Sequence, residues 1–270
     1  MSLFGVDISS HQGNIDLSAL TIDFCIVKAT EGVGYTNPFL RAKYEQAKSL
    51  GILRGVYHFA TGRTSGRQEA DYFLSVVKDY VGDAILVLDW EADAEKKGVK
   101  YAKDFLDRVY EKTGVKSMLY LNRNCVDKYD WFDVVSSDYG IWLATLDGTI
   151  HHSYRECSLV AMVQTCARPI SGYSKDIDNN VFFGNDEAWL KYQKASRAEM
   201  PSELKYHVGQ KVKFSGCYIS SISPPEARLP AKGMLVDYGV ITKIREGARN
   251  PYLLNDGLCW VNAGDIREVL

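Results

Sequence analysis

Apolar positions along the first 190 residues come in short continuous runs, with little strict alternation. Such runs lie at 3–8, 24–29, 52–59, 84–90, 116–121, 139–144, 159–164 and 177–182, rich in Val, Ile, Leu and aromatics. Runs of this length and composition predict strands buried on both faces. Helical segments at 36–50, 65–81 and 99–113 each join two of these runs. Gly51, Gly82 and Gly114 follow them, where a left-handed C-cap would end a helix. Strand–helix–strand order predicts a parallel sheet with right-handed crossovers.

The second half of this region is less regular. Residues 145–158 carry no helical periodicity, and a loop rich in Gly, Pro and Ser lies between Gln164 and Ile177. The last three strands therefore lack connecting helices. The fold class expected is α/β, an irregular (β/α) barrel of eight strands whose final part is closed by strands alone, with a last helix at about 186–197 packed outside. The composition changes near 195–206, a polar stretch with one proline. Beyond it, short strands at 207–214, 218–222, 239–244, 252–254 and 259–262, with turn signals at 247–248 and 256–257, predict a small all-β barrel. The expected organisation is a barrel over 1–195, a linker over 196–205 and a β module over 206–270.

Composition narrows the function only a little. A formal net charge of −2 gives no electrostatic footprint of nucleic-acid binding. No stretch approaches the roughly 20 apolar residues of a membrane span, so membrane insertion is not expected. The first residues show neither a basic n-region nor a long apolar h-region. The expectation is synthesis in a host cytoplasm without a signal peptide, with any export by another route. Cys25, Cys125, Cys157, Cys166, Cys217 and Cys259 show no metal-type spacing and are expected as small buried thiols.

The chemistry concentrates where strands end, the functional end of barrels of this type. Residues 85–91 read Ile-Leu-Val-Leu-Asp-Trp-Glu. In extended chain Asp89 and Glu91 point to the same side. Like charges held together raise one another's pKa, which can provide one proton donor and one charge-stabilising carboxylate. Asp7 ends the first strand and Asp178 lies in the last, and in a closed barrel these strands are neighbours. Four carboxylates then surround one cleft. Tyr57, Tyr120, Trp90 and Trp142 also lie at strand ends, and aromatic faces suit the apolar faces of sugar rings. Each residue taken singly has a structural explanation as well: a turn cap, a loop acid or core packing. His58 is expected as a packed histidine. The loop pair His151-His152 is weak evidence for a metal, and no metal or other cofactor is expected.

The ordered set Asp-Ile-Ser-Ser-His-Gln-Gly (7–13), Lys-Ala-Thr-Glu-Gly (28–32), Gly-Val-Tyr-His-Phe (55–59), Asp-Trp-Glu (89–91) and Asp-Ile-Asp-Asn-Asn-Val-Phe (176–182) resembles glycoside hydrolase family 25, the muramidases of many phage endolysins. The resemblance covers about 3–190. It implies a barrel of eight strands and about five helices. It also implies cleavage of the β-1,4 bond between N-acetylmuramic acid and N-acetylglucosamine in bacterial peptidoglycan. Carried over by motif, Glu91 matches the general acid and Asp89 the residue that stabilises the oxocarbenium-like state or orients the acetamido group. Asp7 and Asp178 match supporting carboxylates, and Tyr57, Tyr120 and Trp142 match cleft aromatics. Whether an enzyme carboxylate or the substrate acetamido group attacks stays open at this stage. The chain departs from the family pattern at Leu146 and Thr165, where the family often has tyrosine.

Residues 206–270 resemble bacterial SH3-like cell-wall-binding modules, with Tyr218, Tyr252 and Trp260 as candidate wall contacts and core packing as the competing role. Family analogy further implies release to the wall through a separate holin-like, membrane-permeabilising protein. Two other readings are a metal-dependent hydrolase, which the carboxylates and His11 would permit, and a non-catalytic wall-binding protein.

Overall fold

The structure, a computed structural model, describes residues 2–145, 147–155, 157, 160–195, 204–219, 221, 223, 227–232, 234–245 and 248–270. The chain divides into two compact units, Met1–Asp133 with Tyr139–Ser196, and Val134–Asp138 with Arg197–Leu270. Residues 196–203 of the expected linker lie outside the described residues.

The first unit contains strands β1 (Leu3–Ile8), β2 (Phe24–Glu31), β3 (Tyr35–Thr36), β4 (Leu53–Phe59), β5 (Ile85–Asp89), β6 (Met118–Asn122), β7 (Ile141–Ala144), β8 (Val160–Ile170) and β9 (Tyr173–Phe182). Its helices are α1 (Leu40–Ser49), α2 (Gly66–Val77), α3 (Gly98–Thr113), α4 (Arg123–Lys128) and α6 (Asp186–Gln193), while α5 (Phe132–Ser136) straddles the division. Eight strands close a mixed barrel, with β3 forming only a short hairpin on β2. Neighbours from β1 through β8 are parallel, whereas β9 runs antiparallel to both β8 and β1.

The helices form where the pattern predicts them. A capping box between Ser65 and Gln68 starts α2. α3 buries Tyr101, Ala102, Phe105, Leu106 and Val109, one face of a 3.6-residue period. It stops at Gly114, whose φ of 70° lets its N–H reach Tyr110 O at 2.8 Å. The expected helix at 65–81 ends at Val77 and continues as a 3-10 turn, and the last helix ends at Gln193. The sequence pattern did not mark α4 and α5, which at six and five residues are too short to show a period.

The barrel interior is filled at one end and polar at the other. Phe24, Phe182 and Trp189 of α6 pack together, with ring centroids 4.6 and 5.1 Å apart, at the end where β2 begins and β9 finishes. Gly5 permits this packing, because a Cβ there would sit 2.3 Å from Phe24 O. Burial of aromatic area here drives closure. The opposite end, where β1, β2, β4 and β5 terminate, carries the carboxylates. Behind β4, His58 is fully buried, with its ring nitrogens 2.8 Å from Thr30 Oγ1 and Glu69 Oε2. It is the packed histidine expected.

The second unit contains β10 (Lys211–Phe214), β11 (Gly216–Cys217), β12 (Leu229–Pro230), β13 (Tyr238–Ile244), β14 (Tyr252–Leu254), β15 (Cys259–Val261) and β16 (Ile266–Val269). An antiparallel sheet runs β15-β14-β13-β10-β16, and β11 pairs with β12 separately. Val212, Phe214, Ile241, Leu254 and Val261 form its core. Tyr252 belongs to the same core at 1% exposure, and Tyr218 is also buried. Tyr252 is thus part of the core of this small sheet unit and Tyr218 is covered, so neither is the exposed wall contact expected. Trp260 is half-buried, with the Arg245 guanidinium 5.9 Å from its ring centroid. Within the expected strand at 218–222, Tyr218 forms a bridge with Trp260, and residues 220 and 222 lie outside the described residues. No disulfide joins the six cysteines, of which five are buried and Cys166 is half-buried. Among the described residues no helix is long and apolar enough to cross a membrane.

Candidate active site

A cavity of about 300 Å³ opens at the polar end of the barrel. Asp7, Asp89, Glu91, Asp178, Tyr57, Tyr120 and Trp142 all line it. Register explains why they meet. Phe59, Asp89, Tyr120 and Trp142 are successive Cα partners across β4, β5, β6 and β7. Asp7 and Asp178 are Cα partners across β1 and β9. Glu91 follows β5 in extended conformation, and the chain turns sharply at Ala92, whose φ of 51° is left-handed. A non-glycine residue in that region stores backbone strain, here one residue beyond a carboxylate of the cavity.

Trp90 does not reach the cavity. It is fully buried and packs edge-on against Trp131 and Tyr129, at centroid distances of 4.9 and 5.5 Å. Strand alternation accounts for this correction: the geometry that turns Asp89 and Glu91 to one side turns Trp90 to the other.

The carboxylates are held differently. Asp7 is buried, and its Oδ2 accepts from Gln164 Nε2 at 2.9 Å and Asn180 Nδ2 at 2.8 Å. Burial and the facing Asp178 carboxylate nevertheless push Asp7 up to about 7, against those two bonds. Asp89 Oδ1 is buried without a hydrogen-bond partner. Burial, then Glu91 and Asp7, drive Asp89 well above the usual carboxylate range. Burial and Glu95 raise Glu91, which lies less deeply than Asp89. Asp178 is also raised, by burial.

One cation opposes this cluster. Lys28 lines the cavity, with its Nζ 2.7 Å from Glu31 Oε2 and 4.5 Å from the Phe59 ring centroid. Its charge favours ionisation of both Asp89 and Glu91. Lys28 lies in the Lys-Ala-Thr-Glu-Gly motif, and the sequence pattern alone assigns it no role. A lysine inside an apolar strand run was the signal available. Gln164 and Asn180 were likewise missed, although buried amides amid apolar strands need partners.

Ser9, His11, Gln12 and Phe59 complete the rim. His152 stacks on Phe183 at 4.1 Å and His151 lies edge-on to Tyr154. Among the described residues no group of three or more His, Cys, Asp or Glu is arranged to hold a metal ion.

Buried and half-buried carboxylates with raised proton affinity, the Lys28 cation and four aromatic side chains make a site suited to acid-assisted cleavage of a sugar linkage. Comparison with known proteins agrees. Residues 6–167 match the model for glycosyl hydrolases family 25, and the chain belongs to that family. An N,O-diacetylmuramidase of Chalaropsis sp is 36% identical over 137 residues, which are 44% of this chain and 65% of the relative. The match thus spans under two thirds of that relative's length. The bacterial lysozyme of Streptomyces coelicolor superposes with a TM-score of 0.64 at 25% identity, covering 72% of this chain and 98% of the other. The CTP1L endolysin superposes with a TM-score of 0.56 at 28% identity, covering 70% of this chain and 68% of the other.

Proposed function

We propose that this chain is a lysozyme, an N-acetylmuramidase that hydrolyses the β-1,4 bond between N-acetylmuramic acid and N-acetylglucosamine in bacterial peptidoglycan. The observation that carries the reading is the pair Asp89 and Glu91, directed from the end of β5 into a cavity shared with Asp7 and Asp178. In this reading Glu91 protonates the leaving oxygen and later activates water. Asp89 stabilises positive charge at the anomeric carbon or on the acetamido group. Burial raises the proton affinity of both carboxyls. The Asp89 anion stabilises the positive charge that develops as Glu91 passes its proton to the leaving oxygen. Asp7 and Asp178 support the pair, and Tyr57, Tyr120 and Trp142 contact the sugar rings.

The finer reading is a phage endolysin, with the second unit an SH3-like module that binds the wall. It is made in the host cytoplasm and acts on the wall after release through a separate holin-like protein. Likeness to the CTP1L endolysin supports it. Of the wall contacts proposed in that module, Trp260 is the one whose ring stays half-exposed.

Lysis of purified cell walls by the protein and by Glu91→Gln tests the catalytic reading. Loss of lysis by about a hundredfold or more in the variant is expected. Unchanged lysis removes Glu91 as the acid.

A further inference from the structure

Asp7 is tied to two aromatic walls of the cavity through two amides. Tyr120 Oη donates to Gln164 Oε1 at 2.8 Å, and Gln164 Nε2 donates to Asp7 Oδ2 at 2.9 Å. Trp142 Nε1 donates to Asn180 Oδ1 at 3.0 Å, and Asn180 Nδ2 donates to the same Asp7 oxygen at 2.8 Å. Gln164 and Asn180 are themselves Cα partners across β8 and β9. Both amides are buried, at 6% and 0% exposure. Each is therefore held in one orientation: a flip of Asn180 would break the bonds at both of its ends, and a flip of Gln164 would turn its oxygen onto the Asp7 carboxylate.

We propose that Gln164 and Asn180 are positioning residues that couple the ionisation of Asp7 to the placement of the Tyr120 and Trp142 rings. The proposal rests on the muramidase reading only in taking those rings as sugar contacts; the coupling itself is a property of the free protein.

The chemistry is directional. An Asp7 carboxylate draws both amide N–H groups toward Oδ2. This polarises each amide and strengthens the bond that its oxygen accepts from the tyrosine or the indole. Protonation of Asp7 weakens both arms together. Because Oδ2 already accepts two N–H groups, the proton takes Oδ1. The tyrosine and tryptophan rings meet edge-on at 4.9 Å and 73°, so a change in one arm bears on both rings. By linkage, whatever fixes the rings also favours the Asp7 anion. Other groups act on Asp7 from the surrounding strands. Asp178 on β9 opposes its ionisation, Asp89 on β5 repels it, and Lys28 on β2 lines the same cavity. Tyr57 on β4, Tyr120 on β6 and Cys25 on β2 feel its charge. Of these groups, Tyr120 is part of the bonded path.

The test is carboxyl 13C NMR titration of Asp7 in the full chain without substrate. The starting midpoint is about 7. Asn180→Leu and Gln164→Leu each remove an N–H donor and are expected to raise it by about one unit. Tyr120→Phe and Trp142→Phe leave Asp7's own contacts in place and remove only the distant donor. They are expected to raise the midpoint by a few tenths of a unit. These two decide the matter should a leucine variant fail to fold. An Asp7 midpoint unmoved in both overturns the coupling, whatever the activity on cell walls.

Discussion

Asp7 and Asp178 face one another as Cα partners on antiparallel strands β1 and β9. The reversal of β9 makes this possible. The antiparallel register pairs Leu3 with Phe182 at the filled end and Asp7 with Asp178 toward the mouth. Running backward, β9 brings its first half to the mouth, where two carboxylates meet in a partly desolvated site. Burial and this pairing raise Asp7 to about 7.

Asp7→Asn should expose the cost of that arrangement. The Asn oxygen can still accept from Gln164 and Asn180, while the repulsion with Asp178 is gone. A carboxyl whose folded pKa lies above its unfolded value binds more protons when folded. Its contribution to stability is therefore lost as pH rises from about 4 to about 7. The variant should melt a few degrees higher than the parent at pH 8 and near the parent at pH 4. Calorimetry at the two pH values checks this, and an equal melting temperature at pH 8 would show that the repulsion is not felt.

Lys28→Met should move catalysis along the pH axis. With the cation gone, both Asp89 and Glu91 hold protons more tightly. The kcat/KM profile is expected to shift upward by about one pH unit, and Lys28→Arg should restore it. A profile that only falls in height, without shifting, assigns Lys28 a structural role.

Glu69→Leu should be costly, because it leaves His58 Nε2 and the Thr61 backbone and hydroxyl without their acceptor. Each buried polar group left without a partner costs about 1–3 kcal/mol. Denaturant unfolding of the variant measures it. In the parent, burial opposes ionisation of Glu69, but the bonds from His58 and Thr61 outweigh it and hold the carboxyl at about 2. The stability it contributes is present above about pH 4.5 and is lost as pH falls toward 2.

Continuous apolar runs were enough to locate the eight barrel strands, because strands buried on both faces leave that mark. Alternation placed Asp89 and Glu91 on one side; the same argument, applied to Trp90, excludes it from the cavity. Tyr252 and Tyr218 show the opposite problem. In a sheet as small as that of the second unit, an aromatic residue must serve as core, and sequence does not distinguish a core ring from a surface one. The bonds from Gln164 and Asn180 to Asp7 join residues 157 and 173 positions away, and only strand register reveals them.

In the proposed reaction the Asp89–Glu91 pair breaks the bond on the reducing side of N-acetylmuramic acid. Mass spectrometry of borohydride-reduced fragments from digested peptidoglycan tests it most directly. The account predicts new reducing ends that carry muramic acid, absent with Glu91→Gln. Reducing-end glucosamine, or freed stem peptides with intact glycan strands, would contradict it.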